Sequence, residues 1–173
     1  VVYGALFHDI GKPDTYAKTD RIRFNRHEYV GAIKTEKICK RLKFSNKQTE
    51  LIVSLVKEHM KFGNIKNMKK STFKKFVSIE NFNDHLKLHK ADCLGSHGDL
   101  SLLDYTLQKL DQLNNEQILP KPFINGNDLI DLGIKPGPSY KSILSEIFDD
   151  QLEGNIKSRD EALIKLKEVI DND

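Results

Sequence analysis

The chain has 173 residues, of which 38% are hydrophobic, and its formal net charge is +3. This composition supplies a core for one compact domain with a small appendage, and it argues against an intrinsically disordered protein. No apolar run approaches the roughly 18 residues that span a bilayer, and a signal-peptide layout is absent, so we expect a cytoplasmic protein without a membrane partner.

Apolar residues recur at helical intervals along the chain, and no stretch alternates long enough to indicate a strand, so we predict an all-α fold. The first predicted helix covers residues 1–10, is apolar nearly all round and is interpreted as buried. His8 and Asp9 stand at its C-terminal end. Because the sequence opens inside this helix, we expect the chain to be part of something longer. Residues 14–25 are predicted to form a polar loop.

Two further helices follow this loop. The first is predicted over residues 27–42, with His27 in its first turn. Four apolar residues are predicted to lie on or near one face of this helix: Val30, Ile33, Ile38 and Leu42. Ser45 and Gln48 form a capping box for the next helix. Apolar residues recur there at three- and four-residue intervals, and the same spacing turns His59 inward.

A lysine-rich segment follows this third helix. Residues 1–98 carry 20 basic and 10 acidic side chains, whereas residues 99–173 carry 8 and 15. A basic excess of this kind attracts a polyanion at low salt, although a solvated lysine-rich face explains it equally well. The candidate nucleic-acid-binding residues in this segment are Lys66, Lys69 and Lys70. An apolar stripe in the same segment is expected to dock on the core, and it consists of Phe73, Phe76 and Val77.

A helix is then predicted over residues 83–94. Leu88 and Asp92 are four residues apart and share a face, which directs the Asp92 carboxylate toward the packed interior. A further amphipathic helix is predicted over residues 101–117.

Pro120 and Pro122 interrupt the helical pattern, and we predict a boundary there. It separates a helical domain over residues 1–119 from a small helical C-terminal subdomain over residues 120–173.

The C-terminal subdomain is predicted to hold three short helices. Asn127 is expected to cap the first and Gly133 to end it. The second covers residues 139–152, and Ser158 caps the third. Gly137 and Ser139 precede and open the second helix, where backbone N–H groups can bind an RNA phosphate. An ordinary turn and cap is the alternative.

Histidine and aspartate recur in an order that suits a metal site. Imidazole nitrogen and carboxylate oxygen together suit a divalent ion, and a buried Asp costs several kcal/mol unless it is paired or metal-bound. An ion lowers the pKa of a bound water from about 15.7 toward 7, and two ions can share one carboxylate. Any single His on an apolar face can instead be a core residue bonded to the backbone. The candidate metal ligands are His8, Asp9, His27, His59 and Asp92.

The order of these residues, with Gly11-Lys12-Pro13 after the first pair, resembles the HD superfamily of metal-dependent phosphohydrolases over residues 5–98. The resemblance implies one metal at His8, Asp9 and Asp92 and a second at His27 and His59. Asp9 would bridge the two metals, and Lys12 would lie near the substrate phosphate, so Asp9 and Lys12 are the candidate catalytic residues. The superfamily's first His lies upstream of the His-Asp pair, so we expect the HD domain to be N-terminally incomplete here.

Residues 24–32 and 124–138 are similar to the bacterial tRNA nucleotidyltransferase/poly(A) polymerase family. That resemblance implies phosphatase, 2′-nucleotidase or 2′,3′-cyclic phosphodiesterase activity on nucleotides or RNA ends. The cofactor would be a divalent metal: magnesium, manganese, nickel, iron or zinc. The same resemblance implies that the C-terminal tail helps to hold tRNA. The nucleotidyltransferase head is not in this sequence, so we expect no CCA addition from it.

Two other interpretations stay open. In one, the chain is a non-catalytic tRNA-binding helical module of a CCA-adding or poly(A) polymerase family enzyme. In the other, it is a cyclic-nucleotide or alarmone hydrolase, which rests on superfamily membership alone.

Overall fold

The computed structural model describes residues 1–113 and 118–171. Over these ranges the chain is helical apart from one short hairpin, which confirms the prediction of an all-α fold. The α-helices are α1 (Val2–Phe7), α2 (His27–Arg41), α3 (Asn46–Glu58), α4 (Lys70–Val77), α5 (Phe82–Gly95), α6 (Ser101–Leu113), α7 (Gly126–Asp131), α8 (Ser139–Glu153) and α9 (Arg159–Asp171). Two 3₁₀ helices cover Lys12–Thr15 and His59–Asn67. None of the helices in the described ranges is long and apolar enough to cross a lipid bilayer.

The hairpin lies where a polar loop was predicted. Strand β1 (Tyr16–Lys18) pairs antiparallel with β2 (Ile22–Phe24). Each strand has three residues, and all of β1 is exposed, so no alternation of buried and exposed positions marks it in the sequence. The prediction of an irregular loop was therefore wrong over residues 16–24.

Contacts divide the chain into two compact units, and the first comprises Val1–Asn67 and Ile79–Gln112. In this unit α1 packs on α3 at Gly4, where a Cβ atom would lie 2.8 Å from the Leu55 side chain. The prediction that the first helix is buried was wrong, because Val2 and Leu6 are 79% and 68% exposed. Only one face of this six-residue helix meets the core, whose buried residues include Phe7, Cys39, Ile52 and Val56.

Helix α2 occupies the predicted position but turns a different face inward. Two of the four apolar residues on the predicted face are exposed, Ile33 at 58% and Leu42 at 53%. Small residues allow the close approach of α2 to α3, because a Cβ atom on Gly31 would lie 3.1 Å from the Val56 side chain. The buried side of α2 consists of His27, Gly31, Ala32, Thr35 and Cys39.

Helix α3 begins with the predicted capping box. The Ser45 hydroxyl accepts a hydrogen bond from the Gln48 backbone N–H at 3.2 Å, and the Gln48 side chain accepts one from the Ser45 N–H at 3.0 Å. The apolar face that was read from the sequence is buried, and His59, which follows the helix, is only 8% exposed. The predicted helix over residues 101–117 is α6 as far as Leu113, and residues 114–117 lie outside the described residues.

The second unit comprises Met68–Ser78 and Leu113–Asp173. Its core joins apolar residues of the last three helices and the segments between them: Ile124, Leu129, Ile143, Ile147, Ile156, Ala162 and Leu166. Helix α4 contacts α8 in this unit, and the Glu153 carboxylate accepts a hydrogen bond from the Ser71 backbone N–H at 2.7 Å. The apolar stripe of α4 is buried as predicted at Phe73, Phe76 and Val77.

The ends of the C-terminal helices mostly follow the sequence signals. Asn125 caps α7, because its side chain accepts from the Asn127 backbone N–H at 2.9 Å, so the predicted cap at Asn127 was wrong by two residues. Gly133 ends this helix with a φ of 81°. The Ser158 hydroxyl accepts from the Glu161 N–H at 3.2 Å and caps α9 as predicted.

Candidate metal centre

The five predicted metal ligands come together in the first unit from four separate elements. His8 caps the C-terminus of α1 and Asp9 follows it, His27 opens α2, His59 opens the second 3₁₀ helix, and Asp92 lies in α5. All five side chains line a single pocket of about 550 Å³. Residues that are up to 84 positions apart in the chain, as His8 and Asp92 are, thus border one space.

Close backbone packing at Gly11 sets Asp9 beside α2. A Cβ atom at this position would lie 2.1 Å from the His27 carbonyl oxygen and 2.6 Å from the Gly31 backbone nitrogen. No side chain fits there, so glycine allows the turn after Asp9 to rest directly on the first turn of α2. The contact of Gly4 with α3 brings His8 toward His59 in the same way.

The three pocket histidines share one hydrogen-bond pattern. In each ring Nδ1 contacts the backbone carbonyl oxygen three residues earlier, at 2.8 Å for His8, 2.8 Å for His27 and 2.6 Å for His59. A carbonyl oxygen only accepts, so Nδ1 donates its proton. In a neutral ring this leaves the lone pair on Nε2, which is the nitrogen that a metal ion uses.

The Nε2 atoms of His27 and His59 lie 3.2 Å apart. Burial lowers the pKa of His59, and neighbouring His8 and His27 act in the same direction, so this ring is neutral at pH 7 despite its backbone hydrogen bond. When both rings are neutral and both Nδ1 atoms donate, two lone pairs face each other at this distance and repel. A cation between them removes the repulsion, and ligands about 2.1 Å from one ion are separated by about 3.0 to 3.4 Å.

Asp9 contacts residues on both sides of the pocket. Its Oδ2 lies 3.3 Å from His8 Nε2 and 2.6 Å from Lys12 Nζ, whereas its Oδ1 lies 3.4 Å from His27 Nε2. Burial raises the pKa of Asp9, but the hydrogen bond and the charge of Lys12 lower it by more, with His8 and His27 acting in the same direction, so the pKa lies below its usual value. The carboxylate is therefore ionised at neutral pH with each oxygen directed to a different histidine.

Asp92 completes the arrangement from α5. Its Oδ1 lies 3.4 Å from His8 Nε2. Its side chain is 42% exposed, so the prediction that it points into the packed interior was wrong. The helical face that carries Leu88 does turn inward, but at Asp92 this face borders the open pocket instead of the core.

The donor set fits a divalent metal ion. One ligand atom each from Asp9, His27 and His59 can be chosen so that all three lie within 4.8 Å of one another. His8 and Asp92 lie on the other side of Asp9, next to its second oxygen. Neutral imidazoles and carboxylates in this ratio suit borderline or hard divalent ions. The 3.2 Å distance between the Nε2 atoms of His27 and His59 is the most direct sign of this fit.

Sequence reasoning missed the basic rim of the pocket. Arg21, Arg23 and Phe24 of the hairpin line it, as do Arg26 and Met60. The available signal was the density of arginines in the segment that precedes His27, which was read only as a polar loop.

The predicted nucleic-acid-binding residues lie outside the pocket. Lys66 is exposed and its Nζ lies 5.8 Å from the centre of the Tyr105 ring, Lys69 is exposed, and Lys70 is half-buried. Gly137 and Ser139 are exposed at the start of α8, whose N-terminus has no side-chain cap.

Comparisons with known proteins show the family to which the chain belongs. A family model described as HD domain matches residues 1–116. The A-adding tRNA nucleotidyltransferase of Deinococcus radiodurans is 30% identical over 92% of this chain and 39% of its own length. The CC-adding tRNA nucleotidyltransferase of Thermus thermophilus is 27% identical over 91% of the chain and 37% of its own length, and that of a Synechocystis species is 29% identical over 75% and 32%. The chain thus spans less than two fifths of these relatives. No solved structure matches it significantly.

Proposed function

The chain belongs to the HD domain family, and from that premise we propose that it is a divalent-metal-dependent phosphohydrolase acting on nucleotides or RNA ends. The reaction is of the phosphatase, 2′-nucleotidase or 2′,3′-cyclic phosphodiesterase type. The observation that carries the proposal is the pocket in which three imidazoles, each with Nδ1 bonded to the backbone, turn Nε2 toward two carboxylates.

Each ligand has a proposed role. His8, Asp9 and Asp92 would hold one ion, and His27 and His59 would hold a second, with Asp9 shared between the two. A metal ion in such a site lowers the pKa of bound water toward about 7 and so supplies hydroxide at neutral pH. The two oxygens of Asp9 already contact the two groups separately, which supports the shared role.

Lys12 is proposed to assist at the substrate phosphate. Its ammonium group lies 2.6 Å from Asp9 Oδ2, and its side chain is 39% exposed on the pocket wall. It therefore has further N–H donors available for a phosphate oxygen while it keeps Asp9 ionised.

We also propose that the chain forms the HD and C-terminal part of a tRNA nucleotidyltransferase-like protein, with tRNA as a partner. The support is the similarity to three tRNA nucleotidyltransferases, two of which align with more than nine tenths of this chain. The corresponding proposed domain organisation is an HD domain over residues 1–119 and a helical subdomain over residues 120–173, although Met68–Ser78 belongs by its contacts to the second compact unit.

The test uses an aspartate pair of similar position in the chain. Asp9→Asn is compared with Asp14→Asn, whose carboxylate pairs with Lys34 and does not line the pocket. Chelator-treated protein is supplied with magnesium, manganese, nickel or zinc and assayed on 2′-AMP, 2′,3′-cyclic AMP and bis-p-nitrophenyl phosphate. We expect metal-dependent turnover in the wild type and in Asp14→Asn, and none in Asp9→Asn. Equal turnover in all three proteins, or none in the wild type with any metal, contradicts the proposal.

A second candidate function is tRNA binding without catalysis. The exposed and uncapped N-terminus of α8 next to Gly137 favours it, because backbone N–H groups at such an end can bind phosphate. A metal-free wild type that binds tRNA with a steep salt dependence, and hydrolyses none of the three substrates, would support this function over the first.

A further inference from the structure

The hairpin places arginines on the edge of the metal-ligand pocket. Arg21 precedes β2, Arg23 lies within it, and Arg26 immediately precedes α2. All three line the same pocket as His27 and Asp9, although none is among the proposed ligands. The fold therefore places three arginines, together with Glu28, on the lining of the pocket that Asp9 and Asp92 also line.

These three arginines differ in what they contact. Arg23 is held by Asp20, with its Nη2 at 2.9 Å from both carboxylate oxygens and its Nε at 3.2 Å from one of them. Arg21 is exposed, and its guanidinium forms no ion pair or hydrogen bond with the residues that the structure describes. Two of its planar N–H edges are therefore available for a ligand, and a guanidinium binds phosphate through two parallel hydrogen bonds.

Arg26 is placed by an unusual backbone conformation. Its φ is 64°, in the left-handed region that glycine and asparagine occupy more readily than arginine. Its guanidinium carbon lies 5.7 Å from the centre of the Tyr29 ring, a contact that orients the group without using its N–H donors on a carboxylate. Arg26 forms no ion pair with any residue in the described ranges.

We infer that Arg21 and Arg26 form a phosphate-binding rim on the metal-ligand pocket, which selects substrates with a second phosphate next to the phosphoester that is hydrolysed. This inference rests on the proposed function. In the proposed function the metal ligands and Lys12 serve the scissile phosphate. The two guanidiniums on the same pocket lining, which are not needed there, match a further phosphate, in a nucleotide with a 5′-phosphate or in the last linkage of an RNA end.

The test compares three substrates with one common reacting group. They are adenosine 2′,3′-cyclic phosphate, the same compound with a 5′-phosphate, and a trinucleotide that ends in a 2′,3′-cyclic phosphate. For Arg21→Ala we expect kcat/KM to fall about ten- to hundredfold on a substrate with a second phosphate, mainly through KM, and less than threefold on the first compound. A loss on both larger substrates assigns the rim to the second phosphate itself, and a loss on the trinucleotide alone assigns it to RNA ends.

Three further variants isolate the cause. Lys18→Ala removes one charge from the same hairpin at an exposed position that does not line the pocket, and it should leave all three substrates unaffected. Arg21→Lys keeps the charge without the planar fork and should recover only part of the selectivity. Arg26→Gly removes the side chain from a residue with positive φ without a clash, so the fold is retained while selectivity falls.

A binding measurement separates this inference from the proposed function. Fluorescence polarisation of the labelled trinucleotide is recorded in EDTA, where turnover is blocked, and Arg21→Ala should weaken binding about tenfold relative to Lys18→Ala. If no protein hydrolyses any substrate but this difference persists, the proposed function fails and the phosphate rim stands. If Arg21→Ala affects all substrates equally, or matches Lys18→Ala in both measurements, the inference is overturned.

Discussion

The histidines of the pocket and those of the core look alike in the sequence, but their ring nitrogens have different contacts. His8, His27 and His59 donate from Nδ1 to the backbone and direct Nε2 into the pocket. His85 is 1% exposed, its Nε2 lies 3.3 Å from the Ser54 hydroxyl, and its Nδ1 has no hydrogen-bond partner among the described residues.

His89 shows a second kind of core environment. Its ring stacks on Phe62 with centroids 4.2 Å apart and an interplanar angle of 3°, and both ring nitrogens lie 3.7 Å from the Cys93 sulfur. Neither His85 nor His89 meets a carboxylate at ion-pair distance in the described structure. Burial therefore does not identify a metal ligand. A metal ligand is identified instead by a fixed tautomer whose second nitrogen lies beside carboxylates in an open pocket.

The largest effect is expected when one histidine of each group is replaced in turn. His27→Ala should remove bound metal and lower metal-dependent hydrolysis by more than about a hundredfold. Loss of a residue that only orients a metal ligand lowers affinity or activity by about 10- to 100-fold, and loss of the ligand itself should cost at least as much. His85→Leu should retain both, since its ring faces the core. Metal content by elemental analysis and turnover of 2′,3′-cyclic AMP measure the two effects. If His27→Ala keeps its bound metal, the assignment of the pocket histidines as metal ligands is wrong.

The second test disturbs the close backbone contact that positions the pocket histidines. Gly11→Ala puts a Cβ atom 2.1 Å from the His27 carbonyl oxygen, so α2 must shift, at a cost of about 3 kcal/mol in the free energy of unfolding. We expect a lower unfolding midpoint in urea and weaker metal binding. Gly63→Ala is the matched control, because nothing lies within 4 Å of a Cβ atom there. Equal metal affinity in the two variants would show that the Gly11 contact does not position the ligands.

The third test addresses the core group. His85→Ala leaves a cavity at a fully buried position, and we expect it to lower the free energy of unfolding by about 2 kcal/mol. Metal stoichiometry should not change in the folded variant. His85→Leu fills the space and should lose less than about 1.5 kcal/mol. A stability loss in His85→Leu as large as that in His85→Ala would indicate that the Ser54 contact, and not packing, is the main contribution.

The smallest predicted effect is on the pH dependence of stability. Burial lowers the pKa of His85 in the folded chain despite the opposing charges of Glu58 and Asp84. The unfolded chain therefore takes up a proton at this residue below about pH 6.5 while the folded chain does not, so stability falls as the pH falls from there toward the folded pKa.

Urea unfolding of the chelated protein between pH 7 and 5 measures this term. The wild type should lose up to about 1.4 kcal/mol per pH unit more than His85→Leu over the acid part of this range. Parallel pH profiles for the two proteins would mean that His85 is not kept neutral by the core.

The sequence predicted much of the arrangement for identifiable physical reasons. His59 follows an apolar helix whose three- and four-residue spacing fixes its inward direction, and the capping box at Ser45 sets where that helix starts. The ordered set from His8 to Asp92 borders one pocket, as the order of ligand residues in the sequence had indicated.

Other features depend on contacts that a single sequence does not encode locally. The buried face of α2 contains Gly31 and Ala32 in place of its larger apolar residues, because close approach to α3 favours small side chains. The hairpin was missed because three-residue strands carry no periodicity, and the arginine rim was missed with it. Asp92 was oriented correctly along its helix, but whether that face met core or pocket depends on the packing of α1 against α5.

The most direct test of the account is a long-range ¹H–¹⁵N spectrum of the histidine rings, recorded with and without zinc and assigned with single His variants. We predict Nδ1-protonated tautomers for His8, His27 and His59, and shifts of their Nε2 resonances when zinc is added. The resonances of His85 and His89 should stay in place. Zinc-induced shifts at His85 or His89, or unchanged Nε2 resonances at His27 and His59, would contradict it.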